Sequence, residues 1–135
     1  MRNEHDGREP VPEATDRLGR RILNAAFAVH SALGPGLLES VYETCLAEEL
    51  RLAGLRAERQ VVIPVRYGDV RLETGFRLDL LVEHAVVVEV KSIDALASIH
   101  VAQVLTYLRF SGVRLGYLIN FNTVMLKTGL RRLVM

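Results

Sequence analysis

Residues 86–92 have the sequence VVVEVKS, which places two charged side chains inside a run of valines. Alternation along an extended strand puts three of the valines on one face and leaves Glu89 and Lys91 together on the other. The stretch therefore predicts a β-strand that is buried on one face and polar on the other.

The preceding strand, residues 76–82 with the sequence FRLDLLV, shows the same alternation. Its even-numbered residues share one face, and Asp79 lies on the other. Only residues 83–85 separate the two strands, so a β-hairpin centred on His84 is expected. This register sets Asp79 directly opposite Glu89, whereas a slip of one residue would move the two polar faces to opposite sides of the sheet.

Two carboxylates placed side by side on a strand pair repel each other, so a partly buried pair must take up a proton or bind a cation. Lys91 supplies one positive charge, and Mg²⁺ or Mn²⁺ would supply the rest through oxygen ligands. This arrangement favours phosphodiester hydrolysis, in which the metal activates a water and the lysine offsets developing negative charge. The strand pattern alone equally allows Asp79, Glu89 and Lys91 to form a solvent-facing polar stripe with an ordinary ion pair.

The period of the apolar residues changes along the rest of the chain, and these changes predict the other elements. Helices are expected at residues 15–33, 37–53 and 97–110. Strands are expected across residues 60–92, with turns at YGD, ETG and EHA, and within residues 113–121 and 122–135. Pro64 indicates an edge strand or a bulge. The order ααβββ(β)αββ predicts an α/β fold in which helices flank a mixed β-sheet.

Length and composition fit one soluble domain. Residues 1–14 are polar and contain two prolines, so a disordered N-terminal tail is expected there, followed by a single domain over residues 15–135. The net charge of +1 does not demand a polyanionic partner. One cysteine and the lack of a signal-peptide or membrane-span pattern predict a cytoplasmic protein without a disulfide or a membrane partner.

The stretch GLLESVY, residues 36–42, contains the pattern G-x-x-E-x-x-Y as Gly36, Glu39 and Tyr42. It is followed in order by RLDLLVE, VVVEVKS, HVAQVLTYLRFSG and GYLINFN. Together these segments resemble the GxxExxY family of small bacterial and archaeal proteins, which is grouped with the PD-(D/E)XK nuclease superfamily. The resemblance covers about residues 15–134 and implies a restriction-endonuclease-like core.

The resemblance also implies a metal site and a catalytic set. It assigns the metal, Mg²⁺ or Mn²⁺, to Asp79, Glu89 and the carbonyl of Val90, with Glu39 acting through a water or as a further ligand. The catalytic residues that it implies are Asp79, Glu89, Lys91, Glu39 and Gln103. Tyr42 lies one helical turn from Glu39, where it either orients that acid or packs in the core.

Polar residues of the third helix recur at helical spacing, because His100, Gln103 and Tyr107 stand at positions i, i+3 and i+7. The resemblance makes this face a lining of the active-site cleft, in which Gln103 orients the lysine or the phosphate. Tyr107, His100 and Arg109 are then the candidate substrate contacts. The alternative is that Gln103 and Tyr107 only form hydrogen bonds to the sheet.

Two functions stay open at this point. One is a divalent-metal-dependent nuclease that hydrolyses phosphodiester bonds in DNA or RNA. The other is a catalytically silent module that keeps the nuclease fold and binds nucleic acid or a protein partner. Because 135 residues leave little room for a separate recognition domain, a homodimer formed at the sheet edge near Pro64 is one way to enlarge the binding surface.

Overall fold

The computed structural model describes residues 2–4, through their backbone alone, and residues 10–135. The helices and strands follow in chain order as β1 Arg2–Glu4, α1 Glu13–Leu33, α2 Glu39–Leu52, β2 Ala57–Tyr67, β3 Val70–Val82, β4 Val86–Lys91, α3 Ser98–Ser111, β5 Leu115–Asn120, a 3-10 helix at Leu126–Gly129 and β6 Leu130–Val134. No helix in this part of the chain combines the length and the apolar character needed to cross a bilayer.

The six strands form one mixed sheet in the order β1-β6-β5-β4-β3-β2. Strand β3 runs antiparallel to both of its neighbours, β2 and β4. Strands β4 and β5 are parallel and are joined through α3. Strand β6 pairs antiparallel with β5 and parallel with β1. Helices α1 and α2 cover one face of the sheet and α3 covers the other. The predicted α/β fold with helices flanking a mixed sheet is confirmed.

The apolar stripes of the helices explain this layering. Helix α1 buries Ile22, Ala26 and Val29 at helical spacing, and α2 buries Leu46 and Leu50 one turn apart. These side chains meet the valines of β4 that share one strand face, so the core between the helix pair and the sheet is continuous. Burying each large aliphatic side chain contributes about 1.5–3 kcal/mol, which favours a fixed position of α2 over the sheet.

The N-terminal segment, for which a disordered tail over residues 1–14 was predicted, is described only in part. Residues Arg2–Glu4 pair with β6 as an additional edge strand, Val11 is buried in the core, and α1 begins at Glu13. The other residues before Pro10 lie outside the described part of the chain. A three-residue strand of polar residues has no alternating apolar pattern, so periodicity could not predict it.

The hairpin of β2 and β3 is longer than the sequence predicts. The expected turn at residues 73–75 is wrong, because β3 is continuous from Val70 to Val82 and the turn lies at residues 68–69. The register of β2 against β3 shifts between Ile63 and Val65, which places a bulge at Pro64 on the edge strand of the sheet. A bulge on an edge strand suits proline, because proline has no backbone N–H to donate to the ladder.

The predicted alternation of β3 is interrupted at Asp79. Leu78 packs with α3, whereas Leu80 packs with α1 and α2, so two even-numbered residues face opposite sides of the sheet. Strand β2 changes face at Gln60, which lies opposite Asp79. The φ of Gln60, 52°, is in the left-handed region. The hairpin therefore rotates about its own axis at Gln60 and Asp79, which strict alternation did not allow.

Candidate active site

The hairpin of β3 and β4 brings the two acids of the predicted site together. Leu81 pairs with Val87 and Leu80 with Val88, where the ladder ends, so Asp79 lies opposite Glu89 one residue beyond it. At that point, side chains replace the backbone ladder. The Asp79 N–H donates to the Glu89 carboxylate at 3.0 Å, and the Val90 N–H donates to Asp79 Oδ2 at 2.8 Å. The two strands separate here, and both carboxyl groups lie in the gap.

Glu89 is 5% exposed, whereas Asp79 is only half-buried. Burial and then the neighbouring charge of Asp79 raise the pKa of Glu89, and with the opposing charge of Lys91 included the pKa is about 9. The Glu89 carboxyl group therefore keeps its proton at neutral pH unless a cation replaces it. This is the property expected of a carboxylate pair that holds a divalent ion.

Lys91 ends β4 and is half-buried beside the acids. Its positive charge lowers the pKa of both Glu89 and Glu39, which places the ammonium group between the hairpin and α2. Within the described residues, this ammonium group makes no hydrogen bond or ion pair. It is therefore available to a ligand that carries negative charge.

The loop after Lys91 is held by a buried asparagine. Asn120 is 2% exposed; its Oδ1 accepts a hydrogen bond from the Ile93 N–H at 3.1 Å, and its Nδ2 donates to the Ile93 carbonyl at 3.0 Å. Asn122 also donates to that carbonyl. The two asparagines therefore stabilise a turn, and the turn fixes the direction in which the chain leaves β4.

Glu39 is the first residue of α2 and is exposed overall. Partial desolvation raises the pKa of its carboxyl group, Lys91 lowers it, and the negative charges of Asp79 and Glu43 raise it again. Across residues 10–135, no group of three or more His, Cys, Asp or Glu side chains is placed to hold a metal ion. The arrangement thus offers a pair of carboxylates, with Glu39 near the pair rather than as its third member.

Tyr42 packs in the core, which answers the question that the sequence left open. Its hydroxyl donates to the Gly34 carbonyl at 2.5 Å and accepts from the Leu37 N–H at 3.2 Å. Its ring stacks on Phe121 with centroids 4.7 Å apart. Tyr42 therefore fixes the loop between α1 and α2, and with it the start of the helix that carries Glu39.

Helix α3 brings Tyr107 near the acids, with Gln103 as its hydrogen-bond partner. Gln103 and Tyr107 line a groove of about 440 Å³ between α3 and the β2–β3 hairpin. The Tyr107 ring stacks on Phe76, with the ring centroids 4.4 Å apart. Burial raises the pKa of Tyr107, and the charges of Glu89 and Asp79 raise it further, so its hydroxyl lies near the acidic pair.

The other two predicted substrate contacts have local roles in α3. The Nδ1 atom of His100 accepts the Ala97 N–H at 2.8 Å and thereby caps the start of the helix. The guanidinium of Arg109 lies over the Phe110 ring, 5.2 Å from its centroid, near the other end of the helix. Neither contact connects the residue to the acidic pair.

Three residues next to the site were not predicted from the sequence: Glu43, Arg59 and Gln60. Glu43, one turn after Glu39, is 7% exposed and binds both Arg59 and Gln60. The spacing of four residues from Glu39 was a signal for Glu43, because residues four apart share one face of a helix. No pattern pointed to Gln60, because its position depends on a backbone conformation that a glutamine seldom adopts.

The β3–β4 hairpin thus presents two acids, with a lysine two residues further on the same strand, within an α/β core. A family model described as the PD-(D/E)XK nuclease superfamily matches residues 16–133, and the chain belongs to this superfamily. The restriction-endonuclease-like fold is thereby shown. Comparison with curated proteins found no match, and neither did comparison with solved structures.

Proposed function

We propose that the protein is a divalent-metal-dependent nuclease of the GxxExxY type that hydrolyses phosphodiester bonds in nucleic acid. The observation that supports this best is the meeting of Asp79 and Glu89 where the β3–β4 ladder opens, with Lys91 beside them. Membership in a nuclease superfamily supports nucleic acid as the substrate class.

The donor set fits Mg²⁺ or Mn²⁺, because two adjacent carboxylates and a backbone carbonyl are hard oxygen ligands. Asp79, Glu89 and the Val90 carbonyl would hold the ion, and Glu39 would act through a water. A bound ion of this kind supplies Lewis-acid activation of a water and of the phosphate. The protein excludes bulk water from one side of the pair by burying Glu89.

The remaining residues have roles in binding and orienting the phosphate. The Lys91 ammonium offsets the negative charge that develops in the transition state. Gln103 orients Lys91 or the scissile phosphate from α3. Tyr107, with His100 and Arg109 along the same helix, contacts the substrate strand, and the groove beside Phe76 offers a surface on which a base can stack.

A catalytically silent nuclease-fold module is the second candidate, favoured by the lack of a three-residue metal cluster in the described part of the chain. Such a module would bind nucleic acid or a protein partner. The exposed edge strand β2 remains the proposed surface for a homodimer, since its outer backbone is unpaired.

Cleavage assays separate the two candidates. Purified protein with Mn²⁺ or Mg²⁺ is expected to cleave DNA or RNA, and Asp79→Asn and Lys91→Gln are each expected to lower the rate at least about 100-fold while the protein stays folded. Glu48→Gln, on the exposed face of α2, is the matched control and keeps full activity. If the folded wild-type protein shows no Mn²⁺ binding by calorimetry and cleaves no substrate, the silent module is the correct candidate.

A further inference from the structure

We propose that Gln60, anchored by Glu43, is a positioning residue that orients the carboxylate of Asp79. The inference rests on the proposed function only in taking Asp79 as a metal ligand. The contact itself is a property of the folded chain. It joins three elements, because Gln60 belongs to β2, Glu43 to α2 and Asp79 to β3.

Gln60 adopts a backbone conformation that is costly for a glutamine. It stands opposite Asp79, since its neighbours Arg59 and Val61 pair with Leu80 and Leu78. Its φ of 52° is in the left-handed region, which glycine adopts at little cost and other residues seldom do. Such conformations persist where surrounding contacts compensate for them, and they concentrate at functional sites. A glycine would suit the backbone better, so the glutamine side chain needs a reason of its own.

The side-chain amide supplies that reason. Its Nε2 donates to Glu43 Oε1 at 2.8 Å and approaches Asp79 Oδ1 at 3.4 Å. A primary amide nitrogen carries two hydrogens, so one atom serves both carboxylates. The amide oxygen could not take this place, because it would face two negatively charged oxygens. The longer contact to Asp79 is the weaker of the two, and it depends on the shorter one for its direction.

Glu43 is a fixed anchor for this amide. It is 7% exposed, and its second oxygen, Oε2, accepts from Arg59 Nε at 3.1 Å and from Arg59 Nη2 at 2.9 Å. Both carboxylate oxygens are therefore occupied by consecutive residues of β2. Charge-assisted bonds of this kind are among the stronger polar contacts in proteins, so the position of Gln60 is tied to α2.

Asp79 is consequently held from both neighbouring strands. Its Oδ2 accepts the Val90 N–H of β4, and its Oδ1 faces the Gln60 amide of β2. Two contacts to different oxygens fix the plane of the carboxylate and aim its remaining lone pairs toward the gap that it shares with Glu89. Hydrogen bonds to ligating carboxylates tune metal affinity in this way.

Three substitutions at residue 60 test the proposal. Gln60→Gly keeps the left-handed backbone and removes the amide, Gln60→Glu keeps the size and replaces the donor with a charge, and Gln60→Asn keeps an amide on a residue that tolerates this conformation. Amide hydrogen exchange at Val90, followed by NMR in the metal-free protein, reports directly on whether Asp79 still accepts its bond. We expect about three- to tenfold faster exchange in Gln60→Gly, faster still in Gln60→Glu, and partial recovery in Gln60→Asn.

Mn²⁺ affinity is the second readout. Gln60→Gly is expected to bind Mn²⁺ about 10- to 100-fold more weakly than the wild type, because Asp79 loses the amide that orients it. Glu43→Gln should weaken binding in the same direction, whereas Glu48→Gln, the same change on the exposed side of α2, should leave it unchanged.

The outcomes distinguish this inference from the proposed function. Unchanged Val90 exchange in Gln60→Gly overturns the positioning role. Unchanged Mn²⁺ affinity in Gln60→Gly, together with lost affinity in Asp79→Asn, overturns it as well while the metal site stands. A wild-type protein without Mn²⁺ affinity overturns the proposed function, and the exchange measurement then decides the positioning role alone.

Discussion

At the scale of single residues, Glu89 combines burial with a neighbouring carboxylate. Its pKa is raised from 4.5 to about 9, mainly by burial and then by Asp79. Because the folded-state pKa lies above the value of a free carboxyl group, the metal-free site stays protonated through neutral pH and loses its proton only as the pH rises toward 9. Its proton and a divalent cation therefore compete for the same oxygens.

This competition predicts a proton release that calorimetry can measure. At pH 7, binding of one Mn²⁺ should release about one proton, and the affinity should rise about tenfold per pH unit between pH 6 and 8. Titrations in buffers with different ionisation enthalpies give the number of protons. Glu89→Gln, which cannot release a proton, should lose the pH dependence together with most of the affinity. An affinity that does not change with pH would contradict the described environment of Glu89.

At the scale of elements, the start of α2 is set by Tyr42. Tyr42→Phe keeps the stack on Phe121 but leaves the Gly34 carbonyl and the Leu37 N–H without their partner. We expect a loss of about 1–3 kcal/mol in the free energy of unfolding, measured by urea denaturation. Tyr67→Phe is the control, because Tyr67 is 83% exposed, and its stability should not change. Equal stability of the two variants would show that the hydroxyl contacts do not stabilise the loop.

Element order and the register of β3 with β4 could be predicted, because apolar period and short turns are local signals. The pairing of Asp79 with Glu89 follows from counting residues on either side of His84. The change of face at Gln60 could not be predicted, since it arises from one left-handed residue and from packing against two different helix layers. Glu43 and Gln60 therefore escaped the sequence analysis, although they adjoin the predicted acids.

At the scale of the whole molecule, the net charge of +1 limits how substrate is bound. The residues that line the groove beside α3 include no arginine or lysine, so electrostatic contacts to phosphates should be few. For the binding-competent, inactive Asp79→Asn variant, we expect the logarithm of the association constant to fall with the logarithm of salt concentration with a slope no steeper than about −3. A much steeper slope would indicate a basic surface elsewhere.

Arg109 is expected to make one of these phosphate contacts. Arg109→Ala, in the same inactive background, should make the slope shallower by about one and weaken binding to all sequences alike. Arg17→Ala is the control, because Arg17 lies on α1, on the other side of the sheet, and pairs with Glu13. An identical slope in both variants would remove Arg109 from the substrate surface. Fluorescence anisotropy over a salt series measures both.

The rotation of the β2–β3 hairpin at Gln60 and Asp79 separates two parts of the chain that can vary independently. On one side lie the acids, and on the other an arm that ends at residues 68–69 and packs against α3. Insertions at the tip of that arm would change the surface beside α3 without moving Asp79 and Glu89. Changes of length at residues 68–69 are therefore expected to leave the geometry of the two acids intact.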